Sequence, residues 1–139
     1  MKLKFVYYIL PTIIIPIKSW NGKNLNAVEL GNVILIAENE MDDRNGLLTH
    51  ELTHAKQFYR TFGLAWILSK VSKKYRLKYE IEAYVEQIKK QNLSIENNYF
   101  HIVRYADLLY KHYDLGLSQV DILATLIAQL EVSYKVKKK

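Results

Sequence analysis

His50-Glu51-Leu52-Thr53-His54 is the stretch of this 139-residue chain whose residue types and spacing could do chemistry. Residues four apart lie on one face of a helix. On a helix, His50 and His54 therefore offer imidazole nitrogens to one metal ion, with Glu51 beside them. That arrangement suits a zinc ion, a metal-bound water and a general base, the chemistry of metal-assisted hydrolysis. A helical wheel sharpens the role of Glu51. His50, His54, Gln57 and Thr61 form one stripe, and Glu51 falls inside an apolar arc bounded by Leu47, Phe58, Ala55 and Leu48. A carboxylate in that arc is desolvated at a cost unless a cation or an open cleft compensates it. The plainer alternative, two surface histidines on an amphipathic helix, leaves Glu51 unexplained.

The chain has no cysteine, so a metal must be held by His and carboxylate groups. A catalytic zinc needs a third protein ligand and one open position. The nearby extension with Gly near position 57 and His near position 60 is absent, because Gln57 and Arg60 stand there. A downstream helix must then supply the ligand. Tyr79-Glu80-Ile81-Glu82-Ala83-Tyr84-Val85-Glu86 offers three carboxylates, and both Glu80 and Glu82 flank its apolar face.

Across about residues 33–90, the pattern H-E-L-T-H-A-K-Q-F followed by E-x-E-A resembles the gluzincins, the zinc metallopeptidases to which thermolysin belongs. The wider pattern is also similar to that of small bacterial and phage zincin-like proteins. The resemblance implies a zincin-like fold and one zinc per chain, held by His50, His54 and Glu82. It implies Glu86 hydrogen-bonded to a ligand histidine, with Glu80 as the rival ligand. Glu51 would take the proton of a metal-activated water and pass it to the leaving amine of a peptide or protein substrate. The resemblance also implies an oxyanion donor from the C-terminal helices. Tyr105 and His112, on one stripe of the fourth helix, are the expected candidates. An edge strand near Val33 to Ala37 is expected to pair with substrate backbone.

The positioning elements follow from pattern. Residues 3–38 are rich in Ile, Val and Tyr, with turn signals at Asn21-Gly22 and Gly31-Asn32. Asp42 and Asp43 precede a helix from about Arg44 to Phe62 that Gly63 stops. Its expected buried side is Leu48, Leu52, Ala55, Tyr59 and Phe62. Further helices are expected at Leu64 to Ser72, Leu77 to Gln91, Tyr99 to Tyr113, and after Ser118, which has Asp121 three residues on. Asn97-Asn98 is expected to break the chain. Strands first and helices after predict an α+β domain, with a small sheet packed on about five helices. One domain is expected over residues 1–139, its sheet at about 3–38 and its helical part at about 43–135.

The formal charge is +6 and the pI near 9.4. Lysines and arginines cluster at Lys70 to Lys78 and at Lys135 to Lys139. No base-reading motif accompanies them, so specific nucleic-acid binding is not expected. The apolar run from Phe5 to Ile17 could pass for a signal peptide, but no small-residue cleavage site follows. It is shorter than the roughly 18 residues a membrane span needs, and Pro11 and Pro16 interrupt it. Buried or edge strands broken at those prolines are the expectation. A cytoplasmic or virion-associated location is favoured over secretion. The competing functional reading is a zinc-bearing structural or interaction protein, such as a phage virion component within a larger assembly, with little turnover. The small size of the chain favours that reading, and Glu51 favours the enzyme. A membrane-associated module using the apolar N-terminus and the basic tail is a third.

Overall fold

In the computed structural model, residues 2–7, 10–18, 26–92, 95–96 and 99–136 are described. The Asn21-Gly22 and Asn97-Asn98 signals and the last lysines lie outside them. Four strands come first: β1 (Lys2–Tyr7), β2 (Leu10–Ile17), β3 (Ala27–Leu30) and β4 (Val33–Ala37). Five helices follow a short 3-10 turn: α1 (Leu47–Arg60), α2 (Leu64–Val71), α3 (Lys73–Lys90), α4 (Tyr99–His112) and α5 (Gln119–Val136). The domain is α+β, as its strand-then-helix order predicts.

The sheet runs β1-β2-β4-β3. β1 and β2 are antiparallel, β2 and β4 parallel, and β3 and β4 antiparallel. β4 therefore has neighbours on both sides, which corrects the expectation of an edge there. Its unbroken Val-Ile-Leu-Ile-Ala run is what an interior strand reads as. The edge beside the helices is β3, joined to β4 through Gly31-Asn32. Gly31 takes φ +73°, as the first central residue of a type II′ hairpin turn requires.

The two prolines do not break β2. Pro11 pairs only with Phe5 of β1, and Pro16 only with Ile36 of β4, while Ile13 and Ile14 are paired on both sides. Each proline thus stands where the strand is an edge on one side, where its missing N–H is tolerated.

Helix α1 lies between two cores. Leu48 and Ala55 pack on Ile14, Ile34 and Ile36 of the sheet. A second core joins α3, α4 and α5 through Ile81, Val85, Ile88, Ile102, Leu109, Ile122 and Leu126. Of the expected buried side of α1, Leu48 and Ala55 are buried, Leu52 and Tyr59 are half-buried, and Phe62 is 97 % exposed. The helix ends at Arg60, and Phe62 turns out at φ +51° just before Gly63. Gly63, at φ +83°, sends its N–H back to the Phe58 carbonyl and closes the end. At the start, the Asp43 carboxylate accepts from the backbone and side chain of Thr49, at 3.0 and 2.6 Å. Ser118 and Asp121 exchange hydrogen bonds as the expected capping box at the start of α5.

Candidate metal centre

Helix α1 presents His50, Glu51, His54 and Gln57 towards α3. His50 Nε2 and His54 Nε2 lie 3.1 Å apart. Glu80 Oε2 of α3 faces both, at 3.7 Å from His50 and 3.6 Å from His54. All three side chains are nearly buried. A tetrahedral zinc spaces its nitrogen and oxygen ligands about 3.3–3.5 Å apart, given metal–ligand bonds of about 2.0–2.2 Å. The three measured separations bracket that value. Glu80 Oε2 is also buried without a hydrogen-bond donor. A buried carboxylate oxygen without a donor is costly, and a cation shared with two imidazoles would relieve the cost. These donors fit zinc or another divalent ion that accepts nitrogen and oxygen ligands.

Glu80 takes the place that Glu82 was expected to fill. Residues two apart on a helix point in well-separated directions, so Glu80 and Glu82 meet different parts of α1, and only Glu80 faces the two imidazoles. Glu82 instead accepts from Arg60 at 3.1 and 3.0 Å and from Gln57 Nε2 at 3.1 Å. Glu86, on the same side of α3 as Glu82, pairs with Lys89 and does not support a histidine.

Gln57 gives that support. Its Oε1 lies 2.9 Å from His54 Nδ1, and its Nε2 donates to the Tyr79 carbonyl at 3.0 Å as well as to Glu82. The Tyr79 carbonyl and the Glu82 carboxylate can only accept, so the amide nitrogen must face them. The amide oxygen then faces His54, whose Nδ1 must carry the proton. That leaves the Nε2 lone pair directed at the shared focus. The wheel placed Gln57 on the histidine stripe, but only the partners on α3 show its orienting role. His50 is steadied differently, by the edge of the Tyr84 ring at a centroid distance of 4.5 Å.

The electrostatics follow from crowding these groups out of water. Burial raises the Glu51 carboxyl above its usual value, against the pull of His50 and His54. Burial would lower His54, but the Glu80 carboxylate beside it and Glu51 nearby push it up to about 9. Glu80 is itself held well below the usual carboxylate range by the two imidazoles, which overcome its burial. Burial lifts Glu29 on β3 to about 7, with His54 opposing.

A cavity of about 210 Å³ opens onto these groups. Glu51 and the histidines form its floor, β3 one wall through Ala27, Val28 and Glu29, and α2 another through Ala65 and Ser69. That volume suits a side chain or two, below the roughly 300 Å³ at which small-molecule pockets begin. Tyr113 also lines it, and burial raises its phenol above the usual tyrosine range, with the Glu80 carboxylate adding to the shift. The expected oxyanion donors are elsewhere: Tyr105 bonds Gln91, and His112 is exposed. Tyr113 follows the last residue of α4, where the chain leaves the helix and turns back towards α1. Glu29 and Tyr113 carry no local sequence signal, because only the folding of the chain brings them to α1.

No family model, no curated protein and no solved structure matches this chain.

Proposed function

We propose that the chain is a zinc-dependent hydrolase acting on peptide bonds, with a gluzincin-like centre formed by His50, His54 and Glu80. The observation that carries this reading is the convergence of His50 Nε2, His54 Nε2 and Glu80 Oε2 on one point, with Glu51 beside them at the floor of an open cleft. Bound there, zinc would supply Lewis acidity and lower the pKa of a water towards neutrality.

The protein's own contributions can be named. Gln57 fixes the His54 tautomer. Glu51, desolvated and raised, is suited to take a proton from an attacking water and return it to the leaving amine. Tyr113, which lines the same cleft, would donate to the oxygen on which charge develops. β3 is an edge of the sheet among the described residues and lines the cleft, so an extended peptide could pair with it there.

The test is metal analysis followed by peptide cleavage. Purified protein should hold about one zinc per chain. Glu51→Gln should keep that zinc and lose about 10²–10⁴-fold in turnover. Zinc bound by wild type with no cleavage in a broad peptide library would favour the structural or interaction reading instead.

A further inference from the structure

Between Leu52 and Tyr79 the chain carries seven Lys or Arg residues and no Asp or Glu. Some of that charge is committed within the fold. Arg60 pairs with Glu82, Lys73 with Asp114, and the Arg76 guanidinium caps the carbonyls of Ser69 and Lys70. Lys56, Lys70, Lys74 and Lys78 are exposed and make no ion pair among the described residues.

The same segment exposes an unusual amount of apolar surface. Phe62 is 97 % exposed, Leu64 57 %, Trp66 43 %, Ile67 52 % and Val71 76 %. Leu64, Ile67 and Val71 recur at helical spacing and form one outward stripe of α2. Phe62 projects from the turn before it. Lys70 Nζ sits 5.7 Å from the centre of the Trp66 ring, so cation and aromatic lie side by side. Ala65 and Ser69, on the opposite side of α2, wall the cleft, and Trp66 and Lys70 stand at its rim between cleft and stripe.

We infer that the α1–α2 corner is a docking surface for an anionic lipid bilayer, with Phe62 and the outward stripe of α2 seated at the headgroup boundary and the lysines against the lipid charge. An apolar stripe with Trp66 and Lys70 at its margin, followed in the chain by Lys73 and Lys74, has the composition of segments that lie in a membrane interface. No helix among the described residues is long and apolar enough to cross a membrane, so the contact is one of surface seating. Two other occupants fit less well. A second copy of the chain would bring like charge against like charge. Nucleic acid would answer the lysines but leave Leu64, Ile67 and Val71 without a partner, since aliphatic side chains cannot stack on bases. The inference does not rest on the metal centre.

The test uses the full chain with vesicles of phosphatidylcholine alone or mixed with phosphatidylglycerol. At low salt the protein should sediment with the mixed vesicles and not with the neutral ones. Lys74→Gln should lower the partition about fivefold. Ile67→Ser and Val71→Ser should each lower it about tenfold. These side chains are already exposed, so the variants should keep the wild-type circular dichroism and melting. Trp66 fluorescence should be quenched by brominated lipid, and the quenching should be lost in Trp66→Phe. No sedimentation with anionic vesicles would overturn the proposal, as would sedimentation that Ile67→Ser leaves unchanged. A wild-type dimer that Ile67→Ser converts to monomer would assign the surface to a second copy. Binding to duplex DNA without binding to vesicles would assign it to nucleic acid.

Discussion

The carboxylate of Glu82 lies one hydrogen bond from Gln57, at 3.1 Å, on the far side of that amide from His54. It therefore bears on the metal centre through Gln57 alone. Gln57→Leu should weaken zinc binding about 10–100-fold, because His54 loses the acceptor that fixes its tautomer. Glu82→Gln should have a smaller effect, since the Tyr79 carbonyl still holds the amide in place. Glu80→Ala should abolish stoichiometric zinc. Competition with a chromophoric chelator measures all three. Zinc loss in Glu82→Ala with retention in Glu80→Ala would reverse the ligand assignment.

Tyr113 lines the cleft together with Glu80, so its phenol has two candidate duties. If it donates to the developing oxyanion, Tyr113→Phe should lower kcat about 10²-fold with little change in KM. Zinc affinity should then fall less than tenfold. A large loss of zinc with unchanged kcat per bound metal would make Tyr113 a support for Glu80 only. Tyr105→Phe, at a residue held by Gln91 away from the cleft, is the control.

What was legible in the sequence was local. The spacing of His50 and His54, the stop at Gly63 and the Ser118–Asp121 box each depend on residues within one or two helical turns, where geometry is fixed. The choice between Glu80 and Glu82 depends on the rotation of α3 about its own axis. Packing against α1 and α5 together sets that rotation, and a wheel drawn on one helix cannot. The edge strand was misplaced for a related reason. Val33–Ala37 is the more apolar strand because it is interior, while Ala27–Leu30, half-buried up to the exposed Leu30, is an edge among the described residues. Phe62 was assigned to the core because its spacing continues the α1 pattern two residues past the end of the helix.

The coupling of His54 and Glu80 sets a pH dependence for the metal-free protein. His54 is raised to about 9, so its stabilising contribution is complete below its ordinary value near 6.5 and is lost as pH rises through 9. Glu80 is lowered, so its contribution is present above the ordinary carboxylate value and is lost only in strong acid. Glu29, raised to about 7, favours the folded state at low pH and costs stability as pH rises through 7. His54 and Glu29 both lose stability as pH rises, whereas Glu80 loses it only in acid. Melting of metal-free protein should fall between about pH 4.5 and 9, the lower part of the window set by Glu29 and the upper part by His54, and then level. Zinc must displace the His54 proton, so apparent affinity should rise about tenfold per pH unit until about pH 9 and then level. An affinity independent of pH across that range would show that His54 is not a ligand.

Gly46 fixes how α1 meets α3, and with it the meeting of the histidines and Glu80. It precedes the first residue of α1 in left-handed backbone, at φ +69°, where a side chain is strained. A Cβ built there would lie 2.7 Å from the Gln87 carbonyl oxygen and 2.9 Å from Gln87 Cγ. Backbone oxygen cannot step aside as a flexible side chain can, so the helices must part. The Gln87 side chain also donates to the Asn45 carbonyl at 2.8 Å, which ties the same junction from α3. Gly46→Ala should therefore destabilise the fold by about 1–3 kcal/mol, the range for strained backbone, and the clash adds to that. Because the added methyl wedges between α1 and α3, zinc affinity should drop together with the melting temperature. Gln87→Ala removes the hydrogen bond and the Cγ contact but leaves the backbone oxygen, so it should rescue Gly46→Ala only in part. Full rescue in the double variant would show that the side chain, and not the approach of the two backbones, sets the geometry of the centre.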